Sequence, residues 1–155
     1  MQNSLISLFG EKVKMKIPEE FTLMTTEQAK LFFLGTVPEI LYGIEEKRAF
    51  ISITHTDITI ETENLERRIT EYYQLYNRSI ANFANGGLAK RLLQDGTPIG
   101  VFHYTSTTAD RDLINYFALF PLKGKEVVMS MHCSIEDSLV IAKKFLEVLN
   151  SITIC

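Results

Sequence analysis

Alternating apolar and charged residues at the start of the chain predict a pair of short strands. In the segment "KVKMKIP" every second residue is apolar and lysines stand between, a period typical of a strand buried on one face: Val13, Met15 and Ile17. A second run covers residues 3–9, and Gly10 lies in the turn between the two. Because Pro18 ends the lysine-containing run, we expect strands over residues 3–9 and 12–17.

Helical periodicity is clearest in two later segments. Spacings of three and four form one apolar stripe that predicts a helix over 65–83: Leu65, Ile69, Tyr72, Tyr76, Ile80 and Phe83. A second helix is predicted over 135–149, with Ser134 as its N-cap and two adjoining apolar rows: Leu139, Ala142, Leu146 and Leu149; Ile141, Phe145, Val148 and Ile152. Thr25 and Gln28 have capping-box spacing and predict a shorter helix, which Gly35 and Pro38 end.

The remaining apolar runs predict a mainly antiparallel sheet. "EILYGI" and "AFISITHTDITI" flank the charged turn "EEKR" as a hairpin. A strand in "GGLAKRLLQDG" follows the long helix. Three more strands are predicted over 98–108, 113–122 and 126–133, joined at "ADRD" and "KGK". Hairpin turns between consecutive strands imply antiparallel pairing.

Both faces of the central strands are predicted to be apolar. One face carries Phe117, Leu119, Met129 and Met131, and the other carries Tyr116, Phe120 and Val128. Because two apolar faces both need cover, we expect an α+β fold: a three-layer α/β/α sandwich on one antiparallel sheet. The chain contains no repeat, low-complexity tract or linker-like stretch, so residues 1–155 are expected to form a single domain.

Three segments resemble the Mog1/PsbP/DcrB-like superfamily. They are "KVKMKIPEEFTLMT", the hairpin "EILYGIEEKRAFISI" and the closing strand and helix "VVMSMHCSIEDSLVIAKKFLEVLNSI". The resemblance implies a single α/β/α sandwich and supplies no catalytic motif. Members of the superfamily include a Ran-binding import factor, a photosystem subunit, bacterial lipoproteins and chaperones of secreted effectors. The expected place of this chain is an uncharacterised bacterial branch or the chaperone branch.

Composition and charge restrict the range of partners. The chain has 155 residues, 46% of them hydrophobic, and a formal net charge of −3. Without a basic surface, nucleic acid is not an expected partner. The chain shows no signal-peptide pattern and no apolar run long enough to span a membrane, so we expect a cytoplasmic protein with Cys133 and Cys155 as free thiols.

The segment 95–133 raises the question of a metal or catalytic centre, because it contains His103, His132 and Cys133. In the predicted register both histidines point to one side of the sheet, about 11–12 Å apart, too far to share a metal. Cys133 faces away from His132, although it precedes a helix whose N-terminus would lower a thiol pKa. We therefore predict no catalytic, cofactor-binding or metal residues, and no cofactor.

The sequence favours a non-enzymatic protein-binding or adaptor domain, of which a chaperone-like partner of a secreted effector is the most specific form. The alternative is a small hydrolase with an active site that the sequence does not reveal. Partner contacts are predicted at the N-terminal pair of strands, taken as an open sheet edge guarded by Lys12, Lys14 and Lys16. Tyr73, beside the apolar stripe of its helix, is a further candidate contact.

Overall fold

A computed structural model describes residues 3–31, 38–80, 82–93 and 95–155. The helices in these ranges are α1 (Thr26–Lys30), α2 (Leu65–Ser79) and α3 (Ser138–Ser151). The strands are β1 (Asn3–Leu8), β2 (Val13–Pro18), β3 (Thr22–Leu23), β4 (Ile40–Ile44), β5 (Ala49–Thr59), β6 (Ala84–Leu92), β7 (Pro98–Thr107), β8 (Asp112–Leu122), β9 (Lys125–Ser134) and β10 (Thr153–Ile154). No helix in this part of the chain is long and apolar enough to cross a membrane.

The strands form two antiparallel sheets, whereas the sequence predicted one. The larger sheet has seven strands in the order β3-β4-β5-β9-β8-β7-β6. The smaller has the order β1-β2-β10. The predicted hairpins are confirmed, and β3 and β10, two residues each, were not predicted. A pair of residues has too short a pattern to stand out in the sequence.

Helices cover both faces of the seven-stranded sheet, which confirms the three-layer architecture. On one face α2 packs over a core of seven buried residues: Ile60, Leu65, Ile69, Phe102, Tyr104, Phe117 and Leu119. On the other face α3 and the small sheet share a larger core, which includes Val13, Met15, Ile17, Phe120, Met129, Ile141, Phe145 and Val148. Burying each such side chain contributes about 1.5–3 kcal/mol, so both faces contribute substantially to stability.

The predicted register of the central strands is wrong. His103 pairs with Tyr116 and not with Ala118, and Tyr116 pairs with Met131 and not with His132. The second error arises at "KGK", where Lys123 and Gly124 both have positive φ and form a two-residue hairpin turn. A slip of one residue turns every side chain to the opposite face. Met129 and Met131 therefore share a face with Phe120, opposite Phe117 and Leu119.

The helix ends also differ from prediction. The capping box at Thr25 is confirmed; α1 ends at Lys30, and the stretch 32–37, with Gly35, lies outside the described residues. α2 ends at Ser79, four residues before the predicted end, because Ile80 is extended. α3 begins at Ser138, after a 3₁₀ turn over Ile135–Asp137.

Only one of the two apolar rows predicted for α3 is buried. The row with Ile141, Phe145 and Val148 lies in the core. In the other row Leu149 is buried, whereas Leu139 is 92% exposed and Leu146 is 36% exposed. The sheet contacts only one side of the helix, so the second row borders a depression on the surface.

Candidate functional site

The depression beside α3 is an apolar trough between this helix and the last strand of the large sheet. Val101 and His103 on β7 and Tyr116 on β8 line it from the sheet, and Leu146 lines it from α3. On the remaining side lies β6, which lines the trough with Gly86, Gly87, Leu88 and Arg91. The trough has a volume of about 360 Å³, enough to hold one or two large side chains of a partner.

The two glycines of β6 make room for the ring of His103, which forms part of the wall of the trough. A Cβ atom at Gly86 would overlap the imidazole of His103, so any other residue there would displace this ring. Gly87 has a φ of +129°, which favours glycine, and the pairing register with β7 shifts between Asn85 and Gly87. The His103 ring stacks on Tyr116, with centroids 5.4 Å apart. The bulge thus leaves an aromatic surface open beside the strand.

The outer side of β6 is an edge of the seven-stranded sheet. Among the residues that the structure describes, no strand pairs with this side. The strand carries two charged residues, Lys90 and Arg91, and both are cationic. Arg91 donates from Nη2 to Oδ1 of Asn150 on α3, at 2.7 Å, and so connects the edge strand to the helix across one end of the trough.

The predicted chemical residues are not brought together. His103 and His132 lie on opposite faces of the sheet, which corrects the prediction that they share one, and Cys133 faces away from His132 as predicted. Burial lowers the pKa of His132 to about 4. Burial, followed by the Asp137 carboxylate, raises the pKa of the Cys133 thiol to about 12, opposite to the helix effect considered above. Within the described ranges no group of three metal-ligating side chains occurs.

His132 lines a second cavity of about 260 Å³ beneath the turn between β7 and β8. Arg48 and Arg111 both approach Oδ2 of Asp110 there, at 3.6 and 3.4 Å. Asp110 also accepts from the Thr108 hydroxyl, and this hydrogen bond, with the two arginines, lowers its pKa. The cavity therefore has two guanidinium groups for one carboxylate, and Nε of Arg111 is buried there without a hydrogen-bond partner among the described residues.

A buried polar cluster on the α2 face was not predicted. Glu126 on β9 is fully buried and accepts from Arg68 Nε at 2.6 Å and from the Tyr72 hydroxyl at 2.7 Å. Burial, then the hydrogen bond to Glu126, raises the pKa of Tyr72. Both carboxylate oxygens have partners, so the cluster attaches α2 to the sheet. No sequence motif joins three residues so far apart in the chain.

The predicted partner-binding residues lie elsewhere. Lys14 and Lys16 are on β2, and Lys12 precedes it. β2 lies between β1 and β10 in the small sheet, so the lysines are not on its edge strand, which within the N-terminal pair is β1. Partner binding by Lys12, Lys14 and Lys16 stays a prediction. Tyr73 is half-buried and packs edge-on against Phe83 and Phe102, in the aromatic core under α2.

No protein-family model and no curated protein matches the chain. Solved structures do, at low identity. Cyanobacterial PsbP (CyanoP) from Synechocystis sp. PCC 6803 has a TM-score of 0.65 and 11% identity, over 99% of this chain and 93% of that one. LpqN of Mycobacterium tuberculosis, described as involved in cell envelope biogenesis, has a TM-score of 0.59 and 11% identity, over 99% and 90%. The Saccharomyces cerevisiae Ran-binding protein Mog1p has a TM-score of 0.50 and 13% identity, over 99% and 96%. The chain therefore has a Mog1/PsbP-like fold, as the resemblance in the sequence implied.

Proposed function

We propose that this chain is a non-enzymatic protein-binding domain whose partner docks an apolar segment in the trough between α3 and β6. The observation that carries the proposal is the trough itself, where Leu146, Tyr116 and His103 surround a volume suited to a large side chain. An apolar depression open to solvent gives an apolar side chain of a partner a place to leave water. The Ran-binding activity named for yeast Mog1p is consistent with the use of this fold in protein recognition.

The more specific form of the proposal is a chaperone-like, cytoplasmic partner of a secreted effector. Such a protein shields an apolar segment of its client, and the trough offers a matching surface. The net charge of −3 keeps the chaperone itself in solution while the trough is empty.

The test is capture of partners from a lysate of the source organism, read by mass spectrometry, with variants that separate the candidate surfaces. Leu146→Asp places a charge in the trough. Leu139→Asp is the matched control, because it makes the same change on the same helix outside the trough. Charge reversal at Lys12, Lys14 and Lys16 tests the N-terminal surface, which remains a competing proposal.

We expect one partner to be retained by wild type, by Leu139→Asp and by the lysine variant, and to lose more than about tenfold in affinity with Leu146→Asp. Loss with the lysine variant and retention with Leu146→Asp would place the interface on the small sheet. Turnover of a small molecule by the purified domain, abolished by one buried polar substitution such as Glu126→Gln, would favour the enzyme and overturn the proposal.

A further inference from the structure

We infer that the partner segment binds in extended form, as an additional strand along the outer side of β6, with acidic residues flanking one apolar side chain that enters the trough. This inference rests on the proposed function and specifies the conformation and charge of the segment. It combines three features of the described residues: an open strand edge, a trough that reaches this edge, and a cationic strand on an acidic protein.

The strand edge supplies the backbone contacts. β6 runs over Ala84–Leu92 and is the last strand of its sheet, whereas β3 at the opposite edge has two residues. From Leu88 to Leu92 this edge presents backbone N–H and C=O groups along its outer side, and an extended segment pairs with such a row. A docked helix would leave these groups without protein partners.

The glycine bulge connects the edge to the trough. At Gly86 and Gly87 no side chain stands between the outer side of β6 and the His103–Tyr116 stack. Side chains of a strand alternate between the two faces of a sheet. On an added strand one residue near the bulge therefore points toward the trough, where Leu146 contacts it from α3. We expect this residue to be large and apolar.

Charge decides between a second copy of this chain and a different partner. Lys90 and Arg91 are the charged residues of β6, and in the described ranges neither has a carboxylate within salt-bridge distance. Two copies paired along β6 would bring four cations together at one interface, and lysines at sheet edges oppose such pairing. An acidic segment neutralises them. The charge thus favours a partner with Asp or Glu beside its apolar anchor.

The experiment is selection of phage-displayed random 12-residue peptides on the immobilised protein. Three variants are used in parallel. Lys90→Glu with Arg91→Glu reverses the charge of β6, and Lys14→Glu with Lys16→Glu makes the same change in net charge on the small sheet. Leu146→Asp places a charge in the trough. The most enriched peptide is then synthesised for affinity measurement and for hydrogen exchange of the complex.

We expect wild type to enrich peptides with acidic residues on both sides of a large apolar one. The β6 charge reversal should weaken the selected peptide roughly tenfold, because two ion pairs are lost, and the small-sheet variant should leave its affinity within about twofold. Saturation with the peptide should slow amide exchange in β6 about tenfold or more.

The two levels of the proposal fail in different ways. Peptides that depend on Leu146 but show no acidic preference, or that leave exchange in β6 unchanged, would overturn the extended acidic segment and retain the trough as the docking site. If no peptide is enriched, or if the enriched peptides bind Leu146→Asp as well as wild type, both this inference and the trough-binding function are wrong.

Discussion

Two ionisable side chains of the sandwich, the fully buried Glu126 and the partly exposed His132, are accommodated in opposite ways. Glu126 is held between Arg68 and Tyr72, so a buried carboxylate has a guanidinium and a hydroxyl as partners. His132 lies near Phe50, with ring centroids 5.4 Å apart, and burial lowers its pKa to about 4. Removal from water disfavours the charged form of an ionisable group, so the imidazole of His132 is neutral at ordinary pH.

The pKa of His132 predicts a specific dependence of stability on pH. In the unfolded chain the pKa is about 6.5, and in the folded protein it is about 4. The unfolded state therefore binds the proton more readily, so folding stability from this group is complete above pH 6.5 and is lost as pH falls toward 4. Chemical denaturation of wild type between pH 7 and pH 4 should show a loss of up to roughly 3 kcal/mol from this residue.

The His132→Gln variant isolates the contribution of His132 to the pH dependence of stability. It removes the imidazole that titrates and keeps the carboxylates whose protonation also weakens the fold in acid. The difference in unfolding free energy between variant and wild type should change by about 2–3 kcal/mol over that range. Parallel pH profiles for the two proteins would show that His132 keeps an ordinary pKa and is not buried as described.

At the scale of elements, periodicity in the sequence predicted which segments fold into helices and strands, and it failed where geometry depends on single residues. The alternation at Val13, Met15 and Ile17 is confirmed because one face of β2 is buried. The register of β8 and β9 was wrong because the turn Lys123-Gly124 uses two left-handed residues, which no period reports. The prediction that the second apolar row of α3 is buried was wrong, because a helical pattern does not reveal how far the sheet extends beneath the helix.

Ile69 on α2 is buried and Leu146 on α3 is partly exposed, and one substitution at each residue measures this difference in burial. Ile69 on α2 is 2% exposed and packs directly on the backbone of β7 at Gly100. A Cβ atom added to Gly100 would lie 2.7 Å from the Cβ atom of Ile69. Ile69→Asp buries an unpaired charge and should cost more than about 3 kcal/mol of unfolding free energy. Leu146→Asp on α3 should cost less than about 1 kcal/mol, because the aspartate reaches water.

Thermal unfolding followed by circular dichroism distinguishes these cases. A variant with Ile69→Asp should be unfolded or melt far below wild type, whereas Leu146→Asp should melt within a few degrees of it. Severe destabilisation by Leu146→Asp would mean that the trough is closed and that Leu146 belongs to the core. This comparison also establishes that the trough variant used above is folded.

At the scale of the whole molecule, the candidate site could not be predicted from the sequence, because it is assembled from three segments that are distant in the chain. Gly86, His103 and Leu146 become neighbours only when β6 pairs with β7 and α3 packs on the face of the sheet to which His103 points. Each residue alone has an ordinary explanation: a loop glycine, a sheet histidine, a leucine of a helical stripe. The predicted lysine surface had a visible charge pattern, but its strand is in the middle of the small sheet.

The three-layer architecture predicts that the two cores contribute independently to stability. Ile69 lies in the core under α2 and Ile141 in the core under α3, on opposite faces of the seven-stranded sheet. Ile69→Val and Ile141→Val should each cost about 0.5–1.5 kcal/mol. Sites separated by a sheet share no packing partner, so the double variant should cost the sum of the two within about 0.5 kcal/mol. The control is a pair of neighbours on α3 within one core, Ile141→Val with Phe145→Leu. Its cost should differ from the sum of its two single variants by more than about 0.5 kcal/mol.

Urea denaturation of wild type, the three single variants and the two double variants gives every unfolding free energy. An equally large deviation for the Ile69 and Ile141 pair would mean that the cores are continuous and that the sheet does not separate them.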